Sequence, residues 1–319
     1  MAGEAPYQVR WGELFVEGVT VGLDGDEKTG TGVTVVLFPP GAVGSVDVGG
    51  GGPATRETDA LDPDRLVAGP DAVMLAGGSA FGLASADGVM QALWEAGRGF
   101  TAGVHRVPIV AAACLFDLEE QQRPPGPEMG RRAAERALAG GRRTDGRVGA
   151  GAGARVGRGL GSASMPSGQA GVTLTAHDGL VVGALVVVNA MGSVRGQDGS
   201  LLAGPKDWDG SVMDMAKAIA AGGGSRRGDR THTTLGVVVT NARLHKGACR
   251  RVARMAHDGL ARAIDPVHTL FDGDAIFAVS VGEAEADVTR VGTLAAHAVA
   301  MAVRRAVTLG AVDGKQGGG

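Results

Sequence analysis

Two short segments of the 319-residue chain carry the side chains best suited to chemistry: hydroxyls, which become nucleophiles beside a base, and a pair of carboxylates. The first segment is Arg230-Thr231-His232-Thr233-Thr234-Leu235-Gly236-Val237-Val238-Val239-Thr240. In it the hydroxyl pair Thr233 and Thr234 opens an apolar run directly after a stretch rich in Gly and Arg. β-Branched residues commonly begin strands, so the pattern has an ordinary reading as well. The second segment is His268-Thr269-Leu270-Phe271-Asp272-Gly273-Asp274-Ala275-Ile276-Phe277. Asp272 and Asp274 alternate along it, so in an extended chain both carboxylates project to one face. Adjacent carboxylates repel unless a cation or hydrogen-bond donors sit between them, and an α-ammonium group supplies both. An Asp-Gly turn closing a hairpin is the competing reading of the same residues.

Other motifs point to structure rather than to a cofactor. Gly149-Ala150-Gly151-Ala152-Gly153 has the look of a dinucleotide loop, but that fingerprint needs a strand before it and a helix after it. The preceding Gly140-Gly141-Arg142-Arg143-Thr144-Asp145-Gly146-Arg147 is no strand, so glycine for tight backbone packing is the better reading. Gly77-Gly78-Ser79-Ala80-Phe81-Gly82 has Phe81 where a nucleophile elbow requires glycine, and Ser79 is expected to cap the helix that follows. The histidines (His105, His177, His232, His245, His257, His268 and His297) show no metal-ligand spacing. His257 and His268 are expected to make structural hydrogen bonds, and neither a metal nor a cofactor is expected.

The elements that must position these residues are legible in part. Strands are expected at Val33–Leu37, Ala72–Leu75, Val107–Leu115, Val181–Val188, Leu235–Thr240 and Ile276–Val281. Most are apolar on both parities, which predicts sheets covered on both faces. Helices are expected from Ser79 to Ala96, through Val212, Met215 and Ile219, from Val252 to Ala263, and from Val288 to Ala302. Such a set predicts helices outside and sheets within. Exposed loops are expected at Asp47–Asp64, Glu119–Glu128 and Gly222–Arg230, the last running into the strand that starts at Thr233. No composition shift marks a boundary, so the chain reads as one domain.

Composition narrows the function. A net charge of −3 argues against nucleic-acid or membrane-surface binding by bulk electrostatics. Glycine is 56 of the 319 residues, without the three-residue period of collagen. Two cysteines, Cys114 and Cys249, cannot build a disulfide framework, which favours a reducing compartment. No targeting segment is visible, and the apolar run from Leu180 to Val188 is far short of the ~20 residues that span a membrane. A cytoplasmic location is expected.

Taken together, six blocks resemble peptidase family S58, the group of L-aminopeptidase/D-amino-acid esterases, β-peptidyl aminopeptidases and nylon-oligomer hydrolases. They are residues 70–100, 107–118 (VPIVAAACLFDL), 146–164 (GRVGAGAGARVGRGLGSAS), 184–194 (ALVVVNAMGSV), 232–244 (HTTLGVVVTNARL) and 255–280, and they span nearly the whole chain. The resemblance implies an α/β fold of four layers, an α-β-β-α sandwich of the self-processing N-terminal-nucleophile type. It implies an inactive precursor that cuts itself between His232 and Thr233, giving an α chain, 1–232, and a β chain, 233–319, from the single domain 1–319. Thr233 would then be nucleophile and base, with Asp272 and Asp274 orienting the new amine and the nucleophile, and Asn189 polarising the substrate carbonyl. Arg158 stands where the family usually has Lys; it keeps the charge but cannot transfer a proton near neutrality, leaving it an electrostatic role. His232 stands where Asn or Gly is usual before the cut. Thr234, one residue deeper and facing the other side of the strand, is the rival nucleophile. The expected activity is hydrolysis of short peptides, amino acid amides or related oligomers through an acyl-enzyme, by a homotetramer of processed units. Two alternatives are an acyltransferase of ornithine-acetyltransferase-like type and an unprocessed, non-catalytic homologue.

Overall fold

A computed structural model describes residues 6–26, 28–119, 122–158, 163–223 and 232–313. Most of the expected Gly222–Arg230 loop, from residue 224 on, lies outside the described residues. The strands that matter here are β1 (Tyr7–Trp11), β2 (Thr20–Asp24), β3 (Val33–Leu37), β4 (Val43–Val48), β5 (Thr55–Arg56), β6 (Ala72–Ala76) and β7 (Val110–Cys114). They are followed by β8 (Arg155–Val156), β9 (Gln169–Ala176), β10 (Val181–Asn189), β11 (Thr233–Ala242) and β12 (Ala275–Ala284). The helices are α1 (Ser85–Glu95), α2 (Pro127–Leu138), α3 (Met215–Ala220), α4 (Lys246–Ala261) and α5 (Val288–Asp313).

Two large mixed sheets form. One is six-stranded, ordered β1-β9-β10-β11-β12-β4, and the other five-stranded, ordered β2-β3-β6-β7-β5. Alternation along the central strands sorts their side chains into separate cores. Leu185 and Val187 of β10, Leu235, Val237 and Val239 of β11, and Phe277 and Val279 of β12 share a fully buried cluster with Val36, Val73, Leu75 and Ala111 of the other sheet. The opposite parity (Val186, Val188, Val238, Ile276) joins a second cluster with Val252 and Leu260 of α4 and Leu294 and Val299 of α5. A third cluster packs Ala86, Val89 and Leu93 of α1 and Ala133, Ala134 and Ala137 of α2 on Val33, Val35, Met74 and Ala112. Burying one such Val or Leu is worth about 1.5–3 kcal/mol, so the two-sided apolar strands are fixed from both faces. Glycine lets α1 and α2 touch: a methyl on Gly130 would meet the Ser85 carbonyl, and one on Gly88 the Pro127 carbonyl.

Several expectations need correction. Ser79 does not cap a helix: it sits at φ +55° in a 3₁₀ turn (Ser79–Ala84) that precedes α1, with no side-chain cap there. The run expected as one strand from Val107 to Leu115 breaks at Pro108, whose ring cannot donate to a ladder, and β7 begins at Val110. Val212 lies outside α3, which is capped by Asp214 accepting from the Lys217 amide. The Asp272–Asp274 segment is not a hairpin turn: β12, which follows it, pairs with β11 and β4, whereas the strand before it, Ile264–Asp265, pairs with Ser193–Val194 in another sheet. Glycine in the Gly149–Gly153 stretch does serve close approach: a methyl on Gly153 would strike the Gly30 carbonyl.

Candidate active site

Thr233 is the first residue of β11 and pairs directly with Asn189, the last residue of β10, across an antiparallel ladder. Both lie on the parity that faces the core between the sheets, and both are buried. On the other side, His232 forms a parallel bridge with Asp272, and the ladder resumes at Leu235 with Ala275. The topology therefore brings Asn189, His232, Thr233, Asp272 and Asp274 to one end of the central strands.

The His232–Thr233 peptide is held by its carbonyl oxygen. The Thr233 hydroxyl donates to that oxygen, and the Gly273 amide donates to it at 2.9 Å. Two donors on one oxygen draw electron density from the carbonyl carbon, the centre a nucleophile would attack. Gly273 has no room for a side chain: a methyl there would stand 2.6 Å from the Thr233 hydroxyl oxygen and 2.9 Å from the Gly52 carbonyl. Thr234, by contrast, points to the opposite parity, where its buried hydroxyl has no hydrogen-bond partner.

The two carboxylates are held differently. Asp274 accepts from the Thr234 amide at 2.6 Å with one oxygen; its other oxygen accepts from the His268 amide (3.1 Å) and meets the His268 ring Nδ1 at 2.7 Å. Asp272 accepts from the amide and hydroxyl of Thr269 at 2.9 and 2.6 Å. Burial, with the charge of Asp274 beside it, pushes Asp272 up to about 6. In the uncut chain, then, Asp274 grips the backbone one residue past the Thr233 hydroxyl.

Asn189 is locked in place. Its Oδ1 accepts from the Arg155 amide at 3.1 Å and its Nδ2 donates to the Phe116 carbonyl at 3.1 Å. Arg158, just past β8, is half-buried; burial and the like charge of Arg155 lower its pKa, while Glu119 and Asp117 act in the opposite sense. Asp117, which the motif reading passed over, is 1% exposed and accepts from the Gly78 amide at 2.8 Å. Burial pushes it from the ordinary 3.8 up to about 6.

That shift has a testable sign. Below about pH 4 both folded and unfolded chains hold the Asp117 proton, so the group costs nothing; between there and about pH 6 only the unfolded chain releases it, and the cost to folding grows to roughly 3 kcal/mol and then stays level. Asp117→Asn keeps the acceptor for Gly78 and removes that cost. Measured by denaturant unfolding in an uncut background, the variant should gain up to about 3 kcal/mol over the parent at pH 8, and almost nothing at pH 4.

Sequence reasoning also missed Gly273 and the contact of His268 with Asp274. An Asp-Gly-Asp triplet is the available signal for Gly273; nothing local could signal the other. Among the described residues no group of three or more metal-ligating side chains could hold an ion. Among the same residues no helix is long and apolar enough to cross a membrane.

Known proteins resemble the chain in sequence and in fold. The chain is 43% identical over 298 residues to an uncharacterized aminopeptidase of Mycobacterium leprae, covering 86% of this chain and 79% of that one. It is 30% identical over 279 residues to a 6-aminohexanoate-oligomer endohydrolase of an Agromyces species, covering 85% and 75%. In three dimensions it resembles a β-aminopeptidase of a Burkholderia species (TM-score 0.63, 20% identity, 91% and 84% covered). It also resembles the L-aminopeptidase D-Ala-esterase/amidase of Ochrobactrum anthropi, reported as a new variant of the Ntn hydrolase fold (TM-score 0.62, 18% identity, 91% and 84% covered). The model of peptidase family S58 matches residues 15–317, and the chain belongs to that family.

Proposed function

We propose that this chain is the precursor of an N-terminal-threonine amidohydrolase that cuts itself between His232 and Thr233 and then hydrolyses amides of short peptides, amino acids or related oligomers. The observation that carries the reading is the seat of the Thr233 hydroxyl on the carbonyl oxygen of its own preceding peptide, with the Gly273 N–H on the same atom. The three cores support a stacking order of helices α4 and α5, six-stranded sheet, five-stranded sheet, then α1 and α2, a four-layer sandwich.

In self-cleavage the Thr233 hydroxyl oxygen bonds to the His232 carbonyl carbon while its proton passes to the amide nitrogen. The oxyanion that forms rests on Gly273 N–H. The C–N bond then breaks, leaving an ester between His232 and the Thr233 hydroxyl, and water hydrolyses that ester to a His232 carboxylate. The freed α-amine, with an ordinary pKa near 7.7–8.0, accepts the proton of its own hydroxyl during turnover. Attack on a substrate amide gives an acyl-enzyme and a released amine, and water completes hydrolysis. Asn189, held by Arg155 and Phe116 beside Thr233, polarises the substrate carbonyl with its side-chain amide, and Asp272 and Asp274 hold the ammonium form.

The names of the relatives support an amide-hydrolysing activity without fixing the substrate. Intact mass and denaturing electrophoresis of freshly purified protein should show fragments of 232 and 87 residues, which together make up the 319. Incubation with L-alanine p-nitroanilide should release p-nitroaniline. A single band with no turnover would identify a silent homologue, and an acylated product appearing only with an added amine would identify an acyltransferase.

A further inference from the structure

Behind Asp274 a line of hydrogen bonds runs away from the nucleophile. Asp274 meets His268 Nδ1 at 2.7 Å; His268 Nε2 meets His257 Nδ1 at 3.1 Å; His257 Nε2 meets the Asp47 backbone carbonyl at 3.1 Å. His268 belongs to the segment before β12, His257 to α4 and Asp47 to β4, so three elements build the line. His268 is held for it at φ +56°, a left-handed conformation costly for any residue but glycine.

The far end fixes the protons. A carbonyl oxygen only accepts, so His257 Nε2 carries a hydrogen. Burial presses His257 below its usual value, keeping the ring neutral and its Nδ1 bare. His268 Nε2 must then donate to it. One more proton lies between His268 Nδ1 and Asp274, whichever atom holds it. The Asp274–His268 pair is therefore electrically neutral, and of the two acids only Asp272 is left to contribute net negative charge. The other charged groups facing this line are Asp47, 3.9 Å from His257 Nε2, and Arg254, which ion-pairs with Asp47 at 2.9 Å.

We propose that His268, held by His257, is a positioning residue that neutralises Asp274 and thereby keeps the freed Thr233 amine basic at neutral pH rather than locked as ammonium. This rests on the reading that cleavage frees that amine. Without the neutralising proton, two net negative charges would stabilise the ammonium and raise the pH at which it becomes a base.

His268→Asn tests it, because the amide still donates to Asp274 but carries no titratable proton. With L-alanine p-nitroanilide as probe, the acid limb of kcat/KM should move up by about one pH unit, a roughly tenfold loss at pH 7 that recovers at pH 9. His257→Leu strips the acceptor from His268 and should shift the limb in the same direction, which covers failure of the first variant to fold. A parallel loss at every pH, or an unmoved limb, overturns the proposal. Independently of activity, ¹⁵N-histidine spectra of the uncut Thr233→Ala chain at pH 7 should show His268 Nε2 protonated and His257 Nδ1 bare. A bare His268 Nε2 overturns the proposal whatever the enzyme does, whereas wild-type protein that turns over while uncut overturns the reading beneath it.

Discussion

Thr233→Ala should leave one uncut chain of 319 residues and no measurable amide turnover. The hydroxyl is both the group that opens the peptide and the group that carries the acyl intermediate, so its removal takes away both steps at once. Losses of 10⁴-fold or more are the rule when a covalent nucleophile is deleted. Thr233→Ser keeps an oxygen on the same Cβ and should still be cut. Thr234→Val is the control: its buried hydroxyl has no partner, so the change leaves nothing unpaired and should give two bands on a denaturing gel. Processing that survives Thr233→Ala but not Thr234→Val would move the nucleophile to the neighbouring residue.

Gly273→Ala should slow self-cleavage of the precursor strongly without touching any chemical group. The added methyl would stand 2.6 Å from the Thr233 hydroxyl oxygen, closer than a carbon and an oxygen can pack. Either the hydroxyl leaves its seat or the loop retreats and takes the Gly273 N–H off the His232 carbonyl. A misplacement of about 1 Å in such a geometry costs on the order of 10²-fold. Self-cleavage followed by electrophoresis should slow by at least that factor. Overpacking of this kind costs about 1–3 kcal/mol, so the uncut variant should remain folded by circular dichroism. Cleavage at the wild-type rate would remove Gly273 from the site.

Much of the scaffold could be read from residue order, and the exceptions have physical causes. Val33–Leu37 and Val181–Val188 announce themselves because both faces are packed and Thr34 is the one polar side chain in the two runs. Helix α2, Pro127–Leu138, goes unseen: its buried stripe is Gly130, Ala133, Ala134 and Ala137, residues too small to stand out among arginines and glutamates. Strand β9 hides because its buried positions include Gln169 and Thr173, whose polar groups are paired with Thr34, Thr144 and the Glu13 carbonyl only after folding. At the site, Thr233, Asp272, Asp274 and Asn189 are individually visible, yet only the β10–β11 register puts Asn189 opposite Thr233. The histidine line is invisible to spacing, since His257 and His268 meet across the junction of a helix and a loop.

The order of the six-stranded sheet bears on what a cut at residue 232 would and would not separate. Strands β11 and β12 lie between β10 on one side and β4 on the other, so the shorter product would be clasped at both edges by the longer one. Helices α4 and α5, also from the shorter product, seal a core to which β9 and β10 of the longer product contribute alongside β11 and β12. Severing one peptide bond thus divides the covalent chain but not the body. The two pieces would share every hydrogen-bonded seam they had before, and only denaturant should part them.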